Sequence, residues 1–599
     1  MQNLLPKHHS MSSDTRSCQN CKKDFVILHE DFLFYEKVKV PPPTFCPQCR
    51  LQRRLAWRAE RGFHHRKCDL CAKDIIATFP QDTEFPVYCR ECWWSDKWDG
   101  KDYGREYDWN KSFFQQFYEL QQKVPAIALQ VVNSVNCDFT NQILDCKNCY
   151  LLISAGWDED CYYSYRILNS KNIFDSSFLL QCENCYQCVE GIGSSHTLFS
   201  QNVVDSLDIS FCYDVRGSQN CFMSSNLRNA SYIFRNRKLS KHEYEEALKT
   251  IDFGSSKNIQ QYKQEFNNLL ASSVHAYADI KNTLDSTGQI LTNTKDCKSC
   301  FGSSELENCS YCLYIDGAKD SMDITIGTVE LGYEISTGGV KSANIKLSAD
   351  VWPEVHDITY CASCRSSANL FGCIGLKKDQ YCVLNKQYSK EEYERLLPKI
   401  VEQMNAIPYV DSRNRVYKYG EFFPIQFSYL PYNESPAQDY FPMTKNEALR
   451  QGYTWRDEGE RSLKITKLTD DLPDHINNID ESILHEVIEC EHQAKCNERC
   501  TNAFRVILTE LKFYKAIRMA LPRLCPNCRN RERLSRQNPI NLWHRKCMCQ
   551  NTNTSRAIYQ NKNVHSHGSN PCVNEFETSY SPERPETIYC KSCYQTEVI

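Results

Sequence analysis

A repeat of 12 residues restricts the fold of this chain more than any other pattern in it. An Asn, Asp or His recurs at Asn136, Asn148, Asp160, Asn172, Asn184, His196, Asp208 and Asn220. The residue after it is Cys, Ile or Thr, and two positions before it, from Ser134 to Ser218, stands a small polar residue or Cys. A short fixed period that also contains β-favouring aromatic residues predicts a parallel β-solenoid, in which equivalent positions stack in neighbouring coils.

The number of residues in each coil is left open by the sequence. Twelve residues accommodate one strand of ordinary length and a turn, so a coil contains either one unit or two. The Asn/Asp column is expected to form a ladder of turns, because Asn and Asp tolerate left-handed conformations and bond to neighbouring backbone.

The repeat returns later in the chain, and each array ends in the same way. We call residues 131–238 the first array and residues 291–388 the second; the spacing is looser near Glu334. They end in RNRKLSKHEYEEAL and LNKQYSKEEYERLL, where Ser240 with Glu243 and Ser389 with Glu392 predict capping boxes. We expect these helices to cover open solenoid ends, whose strand edges are otherwise unpaired.

Composition indicates a protein of several structural units and excludes few functions. The chain has 599 residues and a net charge of −4, which points to no particular partner. No run of 18 apolar residues occurs, and the opening MQNLLPKHHSMS lacks the apolar core of a signal peptide, so we expect a cytoplasmic protein without a membrane span. Thirty-five cysteines in so long a chain favour metal sites and packing over a disulfide scaffold.

Four CxxC knuckles near the N-terminus predict two structural zinc sites. They are Cys18/Cys21, Cys46/Cys49, Cys68/Cys71 and Cys89/Cys92. Two knuckles supply four thiolates to a tetrahedral zinc, which leaves no open position for catalysis. We predict that the first knuckle pairs with the second and the third with the fourth.

The sequence around the first two knuckles resembles a known module. CQNCKKDFVILHEDFLFYEKVKVPPPTFCPQCR is similar to the treble-clef or zinc-ribbon module, with its CxxCxxxF pattern, an aromatic pair and CxxCR. The resemblance implies a zinc-stapled β-hairpin followed by a helix that begins at the second knuckle. It also implies that Cys18, Cys21, Cys46 and Cys49 are the ligands, and it implies no catalytic activity.

A basic segment follows the second knuckle. Between Cys49 and Cys68 only Glu60 opposes the basic residues Arg50, Arg53, Arg54, Arg58, Arg61, Arg66 and Lys67. Because Trp57, Phe63 and two His residues are interleaved, the segment is a candidate surface for phosphates and stacked bases. The alternative is a solvated helix whose Arg stems pack on the zinc module.

The C-terminal region repeats the N-terminal one. Cys21–Cys68 aligns with Cys500–Cys547 at a constant offset, and Tyr589-Cys590-x-x-Cys593 matches the closing knuckle at Cys89. The predicted ligands are Cys496, Cys500, Cys525, Cys528, Cys547, Cys549, Cys590 and Cys593, which brings the zinc sites to four. Two of these knuckles have irregular spacing, and Cys490 and Cys572 are spare thiols that can substitute. The corresponding nucleic-acid candidates are Arg529, Arg531, Arg533, Arg545 and Lys546.

Between these regions the chain divides into recognisable segments. CKNC at Cys146, CENC at Cys182 and CKSC at Cys297 resemble knuckles, but the repeat explains them better as buried ladder thiols. We expect the aromatic stretch 93–125 to dock the zinc domain on the first coil of the solenoid. The predicted domains are a double zinc domain (1–95), an aromatic helical connector (96–130), the first array (131–238), a helical cap and insertion (239–290), the second array (291–388), a capping helix (389–407), an extended strap and linker (408–484) and a second double zinc domain (485–599).

Three hypotheses for function follow. The leading one is a non-enzymatic zinc protein that contacts nucleic acid, RNA or single strands above all, through the duplicated basic segments. The second is a protein-interaction or structural scaffold built on the solenoid. The third, and the least favoured, is a carbohydrate-acting β-helix enzyme that uses Asp158, Glu159 and Asp160. The layout resembles uncharacterised zinc-ribbon proteins of candidate bacterial phyla, which supports the architecture and implies no activity.

Overall fold

The fold is mainly β, with two solenoid arrays and cysteine clusters near both ends of the chain. A computed structural model describes residues 13–457, 464–496, 499–549, 559–568 and 570–599; the opening segment used to argue against a signal peptide lies outside these ranges. The chain forms two compact units, Met1–Leu129 with Ala278–Arg456 and Gln130–Tyr277 with Asp457–Ile599. Unit 1 therefore joins the predicted N-terminal zinc domain to the second array, and unit 2 joins the predicted C-terminal zinc domain to the first.

One 12-residue unit makes one coil. Tyr165 pairs in parallel with Ser177 and Ser177 with Val189, a constant step of 12 residues. One sheet of the first array contains Val131–Val132, Asn141–Leu144, Ile153–Gly156, Tyr165–Leu168, Ser177–Leu180, Val189–Ile192, Gln201–Val204, Tyr213–Arg216 and Ser225–Arg228. The strands of its other side are Val135–Asp138, Lys147–Tyr150, Lys171–Phe174, Glu183–Tyr186, Ser195–Leu198, Leu207–Ser210, Gln219–Phe222, Ser231–Phe234 and Arg237–Lys238.

A shorter period of three lies inside the repeat. From Asn133 to Arg235 every third residue is left-handed, with φ between 46 and 61°, including residues such as Phe211 that ordinarily avoid this conformation. Many of these residues donate their N–H to the adjacent coil, as where the Phe211 N–H donates to the Leu198 carbonyl at 3.0 Å. The residue that follows points inward, so the core consists of Ile143, Cys146, Cys149, Leu152, Cys161, Ile167 and their equivalents.

Polar ladders satisfy the buried backbone at the inward positions. The Ser176 hydroxyl accepts from the Cys188 N–H at 3.1 Å, and the Ser206 hydroxyl accepts from the Ser218 N–H at 3.1 Å. The predicted turn ladder is confirmed in the left-handed column, where Asn136 donates to Asn148 at 2.9 Å. The predicted ladder thiols are also confirmed: Cys146, Cys149, Cys182, Cys185, Cys297 and Cys300 are free and buried.

The second array has the same plan with local irregularity. Lys319 pairs with Glu330 and Val329 with Ser342, so coils of 11 and 13 residues occur where the spacing loosens. The array begins earlier than the predicted boundary at 291, because Ile280–Leu284 pairs in parallel with Gly288–Lys295. Its strands are Ile280–Leu284, Gly288–Lys295, Cys300–Ser310, Leu313–Gly327, Val329–Glu330, Tyr333–Ile335, Ser342–Ser348, His356–Thr359, Ala368–Phe371, Gln380–Val383 and Lys386–Gln387.

The helices that end the arrays begin as predicted. Ser240 and Glu243 form a capping box at Lys241–Leu248, as Ser389 and Glu392 do at Lys390–Ala406. Tyr244 packs edge-on against Tyr232 of the last coil of the first array. The predicted helical insertion contains the helix Ser256–Ser272. In the ranges described above, none of the helices has the length and apolar character needed to cross a bilayer.

The zinc domain of unit 1 consists of two hairpin-and-helix modules and a connector. The first has strands Asp14–Ser17 and Asp24–Ile27 with helices His29–Val38 and Pro47–Ala56; the second has His64–Lys67, Asp74–Ala77, Val87–Tyr88 and the helix Arg90–Trp93. The connector contains Gly100–Tyr103, the helix Phe113–Gln121 and Ala126–Ile127, and the strap contains Tyr409–Val410, Val416–Tyr417, Ile425–Phe427, Tyr432–Glu434, Ala437–Tyr440 and Lys445–Arg450. The docking prediction for the connector was wrong: Phe113 packs on Tyr360 and Phe371 in the late coils of the second array.

The zinc domain of unit 2 repeats these modules. Its first module contains Ile488–Glu489, Ala503–Phe504 and the helices Leu508–Ala516 and Pro526–Leu534. Its second contains Trp543–Lys546, Glu575–Thr578, Thr587–Tyr589 and the helix Lys591–Val598. The strand Val274–Ala276 pairs with Thr587–Tyr589, and the short helices Thr469–Asp471, Ile476–Asn478 and Glu481–His485 precede the domain.

Candidate metal centres and arginine helices

The first two predicted cysteine groups assemble as expected. Cys18, Cys21, Cys46 and Cys49 come together, as do Cys68, Cys71, Cys89 and Cys92. In each group a hairpin presents the first knuckle, and the other knuckle begins a helix with its first Cys as N-cap. This arrangement is compatible with the zinc-ribbon resemblance.

Backbone donors and neighbouring thiols favour a thiolate at one cysteine of each group, Cys18 in the first and Cys68 in the second. The Cys46 N–H donates to Cys18 Sγ at 3.3 Å, and the Cys89 N–H donates to Cys68 Sγ at 3.2 Å. The pKa of Cys18 falls far below its ordinary value because Cys46 and Cys49 bond to its sulfur. Burial opposes ionisation of Cys68, but the Cys89 N–H and other backbone donors bring its pKa down to about 7.

The third group has one ligand that differs from the predicted set. Cys490, Cys500, Cys525 and Cys528 come together. The Cys525 N–H donates to Cys490 Sγ at 3.2 Å, so Cys490 takes the place that Cys18 has in the first group. The predicted ligand Cys496 lies beside the group, with its sulfur 3.8 Å from that of Cys528.

The fourth group also has a substituted ligand. Cys547, Cys572, Cys590 and Cys593 come together, with the Cys590 N–H donating to Cys547 Sγ at 3.2 Å. Cys572 takes the place expected for Cys549, since it is Cys572 that lies with Cys547, Cys590 and Cys593. Both spare thiols identified in the sequence therefore belong to cysteine groups.

The geometry of all four groups suits zinc. A tetrahedral zinc with Zn–S bonds of about 2.3 Å holds its sulfurs about 3.8 Å apart. The Cys21–Cys46, Cys71–Cys89, Cys490–Cys528 and Cys572–Cys590 sulfur distances are 3.7, 3.9, 3.9 and 3.8 Å. Four thiolates leave no position for a substrate, so the fit is to structural ions.

The helix after the second knuckle is held against the second array by its arginines. We call Pro47–Ala56 the first arginine helix. Arg50 Nε donates to Asp323 Oδ2 at 2.8 Å, and Arg54 Nη1 donates to Asp323 Oδ1 at 3.0 Å. Arg53 donates to both oxygens of Glu334, at 3.1 and 3.0 Å. All five side chains are buried, which makes this an internal ionic contact within unit 1.

The helix Pro526–Leu534, the second arginine helix, makes the same contact with the first array. Arg529 Nη1 donates to Asp175 Oδ2 at 2.5 Å, and Arg533 Nη1 donates to Asp175 Oδ1 at 3.0 Å. Arg533 also donates to Tyr163 O at 2.8 Å. Glu510 accepts from Arg529 at 3.1 Å and is buried with it.

Acidic partners offset the effect of burial on the guanidinium groups of Arg50 and Arg529. Burial by itself lowers the pKa of Arg50, but Asp323 and nearby tyrosines raise it well above its usual value. Arg529 has the same balance, with Asp175 as the main opposing charge. Burial raises the pKa of Glu510, which Arg529 only partly offsets.

Most predicted nucleic-acid contacts are consequently unavailable to a ligand. Seven of the predicted residues are buried, which disfavours a direct contact with a ligand: Arg50, Arg53, Arg54, Arg58, Arg66, Arg529 and Arg533. Arg66, for example, donates to the Pro80 carbonyl at 2.6 Å and to Asp69 at 2.7 Å. Of the rest, Lys67 and Lys546 are exposed and pair with Asp74 and Glu575, and Arg531 and Arg545 are half-buried. For these four the prediction stays open.

The carboxylates proposed for an enzyme point in different directions. Asp158 is inward and buried, where it accepts from the Ser170 N–H at 2.8 Å. Glu159 points outward between Lys147 and Lys171, at 3.0 and 3.1 Å. Asp160 belongs to the turn ladder and accepts from Asn148 at 3.2 Å. They do not form a catalytic pair.

Comparisons with known proteins find no match for this chain. No protein-family model matches the chain, and a search of curated proteins finds none that is similar to it.

The acidic partners Asp175, Asp323, Glu334 and Glu510 were missed by the sequence reasoning. The signal available in the sequence was a set of acidic residues in or near the arrays of a chain that also contains two strongly basic segments.

Proposed function

We propose that this protein is a zinc-stapled β-solenoid scaffold that binds a protein partner along one outer column of the first array. The column, here called the aliphatic stripe, consists of Val132, Leu144, Leu168, Leu180, Ile192 and Val204. These residues lie side by side in register, interrupted only by Gly156 between Leu144 and Leu168. The stripe is the observation that carries the proposal.

The stripe is accessible and lies outside the packed interior. Leu168 and Ile192 are 41 and 42% exposed, and the other aliphatic members are half-buried. Trp157, beside Gly156, is 53% exposed and widens the apolar surface. Contiguous exposed apolar surface of this kind marks protein interaction sites, and a solenoid presents it as a straight row.

Other outward columns have the polar character expected of solvent-facing strands. Lys147, Glu159 and Lys171 form an alternating charged column in the first array. In the second array Lys319 pairs with Glu307 at 2.9 Å, and Thr292, Ser304 and Asp316 form a polar column. The aliphatic stripe is therefore a local feature of unit 2 and not a general property of the repeat.

The four cysteine groups supply the rigidity that the scaffold needs. We propose that each binds one zinc and that the two arginine helices carry this rigidity into the arrays. A protein partner is favoured over nucleic acid because seven of the eleven basic candidates are buried. A steep fall of binding with added salt remains the signature of the nucleic-acid alternative.

The test compares three proteins after cross-linking in cells: the wild type, Leu168→Glu/Ile192→Glu, and Leu207→Glu. Leu207 is a matched control because it is 40% exposed and lies on the other sheet. We expect the same set of proteins to be cross-linked to the wild type and to Leu207→Glu, and to be lost from the double variant. A set unchanged by the double variant overturns the proposal. RNA that is recovered equally with all three from cells that were not cross-linked, and released by salt, favours the nucleic-acid alternative.

A further inference from the structure

The second module of unit 2 contains an insertion that its counterpart in unit 1 lacks. Cys71 lies three positions after Cys68, whereas Cys572 lies 25 positions after Cys547. The flanking hairpins correspond, since His64–Lys67 pairs with Asp74–Ala77 as Trp543–Lys546 pairs with Glu575–Thr578. The inserted residues therefore begin and end inside the cysteine knuckle of this module.

Three side chains of the insertion converge on Cys593. Cys549, His565 and His567 lie with Cys593 in one compact group of potential ligand atoms. His567 Nε2 is 3.5 Å from Cys549 Sγ and 3.4 Å from Cys593 Sγ. Cys549 and His565 are buried, at 1 and 3% exposure. Two thiols and two imidazoles form one of the usual ligand sets of structural zinc.

We propose that Cys549, His565 and His567 bind an additional zinc ion, with the Cys593 thiolate bridging it to the zinc of the fourth cysteine group. The bridge follows from the geometry, because Cys593 belongs to both groups of ligand atoms. Each ion then has four protein ligands and no open position. The additional ion is structural, and it fixes the insertion to the module.

Distances support a shared tetrahedral site. Zinc bonds of about 2.3 Å to sulfur and about 2.0 Å to nitrogen place S and N about 3.5 Å apart in a tetrahedron. The two His567 distances match this value. Cys549 Sγ and His565 Nδ1 are closer, at 2.9 Å, so zinc binding would separate this pair by about half an ångström.

Both imidazoles are oriented as metal ligands usually are. A ligating His commonly donates its other ring N–H to a carboxylate or a backbone carbonyl. His565 Nε2 lies 2.7 Å from Glu597 Oε1, and His567 Nδ1 lies 2.7 Å from the Asn570 carbonyl. Both rings thus present their remaining nitrogen to the sulfurs. Asn561 also donates to Cys549 Sγ at 3.1 Å, which stabilises a thiolate there.

Hydrogen bonds from the insertion to the Glu597 carboxylate support the same assignment. Glu597 accepts from the Lys562 and Asn563 N–H groups at 2.9 and 3.1 Å and from the Tyr559 hydroxyl at 2.7 Å. These hydrogen bonds fix the position of the Glu597 carboxylate independently of its contact with His565. This group of contacts is separate from the aliphatic stripe, so the inference does not depend on the proposed partner.

The test counts zinc in the full-length protein by native mass spectrometry, in parallel with elemental analysis. We expect His565→Ala/His567→Ala to hold one zinc fewer than the wild type. His544→Ala is the control, since His544 is exposed in the same module and bonds only to Glu575 and Glu577 among the contacts resolved here; its zinc count should not change. Imidazole scattering in the zinc X-ray absorption spectrum should be present in the wild type and lost in the double variant.

Two results overturn the inference. Equal zinc counts in the wild type and in the double His variant mean that the Cys/His group binds no ion of its own. A wild-type spectrum with sulfur scattering alone has the same meaning. A misfolded double variant would also lose zinc from the other modules, so the number of zinc ions that it retains reveals misfolding. In that case Glu597→Gln serves as the milder variant, for which faster loss of one zinc to a chelator is expected.

Discussion

Arg54 and Asp323 are joined by a buried ion pair of 3.0 Å, and Arg533 and Asp175 repeat it at the same distance. The likeness extends to the neighbouring contact, because Arg54 Nε donates to Thr325 and Arg533 Nε donates to Ser177, at 3.2 Å in both units. Two cysteine modules at opposite ends of the sequence thus use one mode of attachment to two different arrays. The duplicated basic segment has an internal role in each unit.

The inward serine ladder should be measurable residue by residue. Ser176→Ala leaves the buried Cys188 N–H without its acceptor, which typically costs about 1–3 kcal/mol. We expect faster hydrogen exchange in the peptide that contains Cys188, as measured by mass spectrometry. Ser195→Ala, at a half-buried outward position, should leave exchange unchanged. Equal protection of the Cys188 peptide in all three proteins would rule out a structural role for the ladder hydroxyl.

Asp158 should make stability depend on pH. Burial raises the pKa of this inward carboxyl to about 9, whereas an unfolded Asp titrates near about 3.9. The folded state therefore retains a proton that the unfolded state releases, so the free energy of unfolding falls as the pH rises from about 4 to about 9. Asp158→Ser, which restores the residue found elsewhere in this column, should reduce that fall in urea titrations.

The control for this prediction is an exposed acid on the same array. Glu183→Ser should keep the pH dependence of the wild type, because Glu183 points into solvent. If Asp158→Ser and the wild type lose stability in parallel between about pH 5 and pH 9, the carboxyl is ionised in the folded protein and the prediction is wrong.

The third cysteine group distinguishes two neighbouring thiols. Cys490→Ser should lose zinc from this group, because Cys490 has the place of Cys18 and accepts from the Cys525 N–H. Cys496→Ser should retain that zinc. Release of zinc to a chromogenic chelator, followed over time for each variant, measures the difference. Faster release from Cys496→Ser than from Cys490→Ser would restore the ligand set predicted from the sequence.

The solenoid was predictable from the sequence, but its inner period was not. The 12-residue spacing indicated the fold and the turn ladder because the Asn and Asp residues of one column recur at that spacing. The period of three was not apparent in the sequence because its inward residues vary among Ile, Cys, Ser and Leu. It also explains the false knuckles: Cys182 and Cys185 stand three apart because inward positions do, and the CxxC spacing there reflects packing.

Tertiary partners decided the features that the sequence reasoning missed. Arg50 and Arg54 look like a phosphate-binding surface until Asp323, far away in the sequence, is placed against them. A basic helix that binds phosphates and one that packs on buried acids look alike in sequence. They differ only in their contacts with residues far away in the chain. Likewise His565 and His567 follow no familiar knuckle spacing, and only the folded insertion brings them to Cys593.

Double-mutant cycles test most directly the claim that each arginine helix is attached to one particular array. Removing one member of a buried ion pair typically costs about 3–5 kcal/mol. We expect Arg54→Met and Asp323→Asn to show a coupling energy of about 1–3 kcal/mol in urea unfolding, as residues in direct contact do. The matched cycle of Arg54→Met with Asp175→Asn should be additive within about 0.5 kcal/mol. Additivity in the first cycle, or coupling of Arg54 to Asp175, would contradict the pairing of the N-terminal zinc domain with the second array.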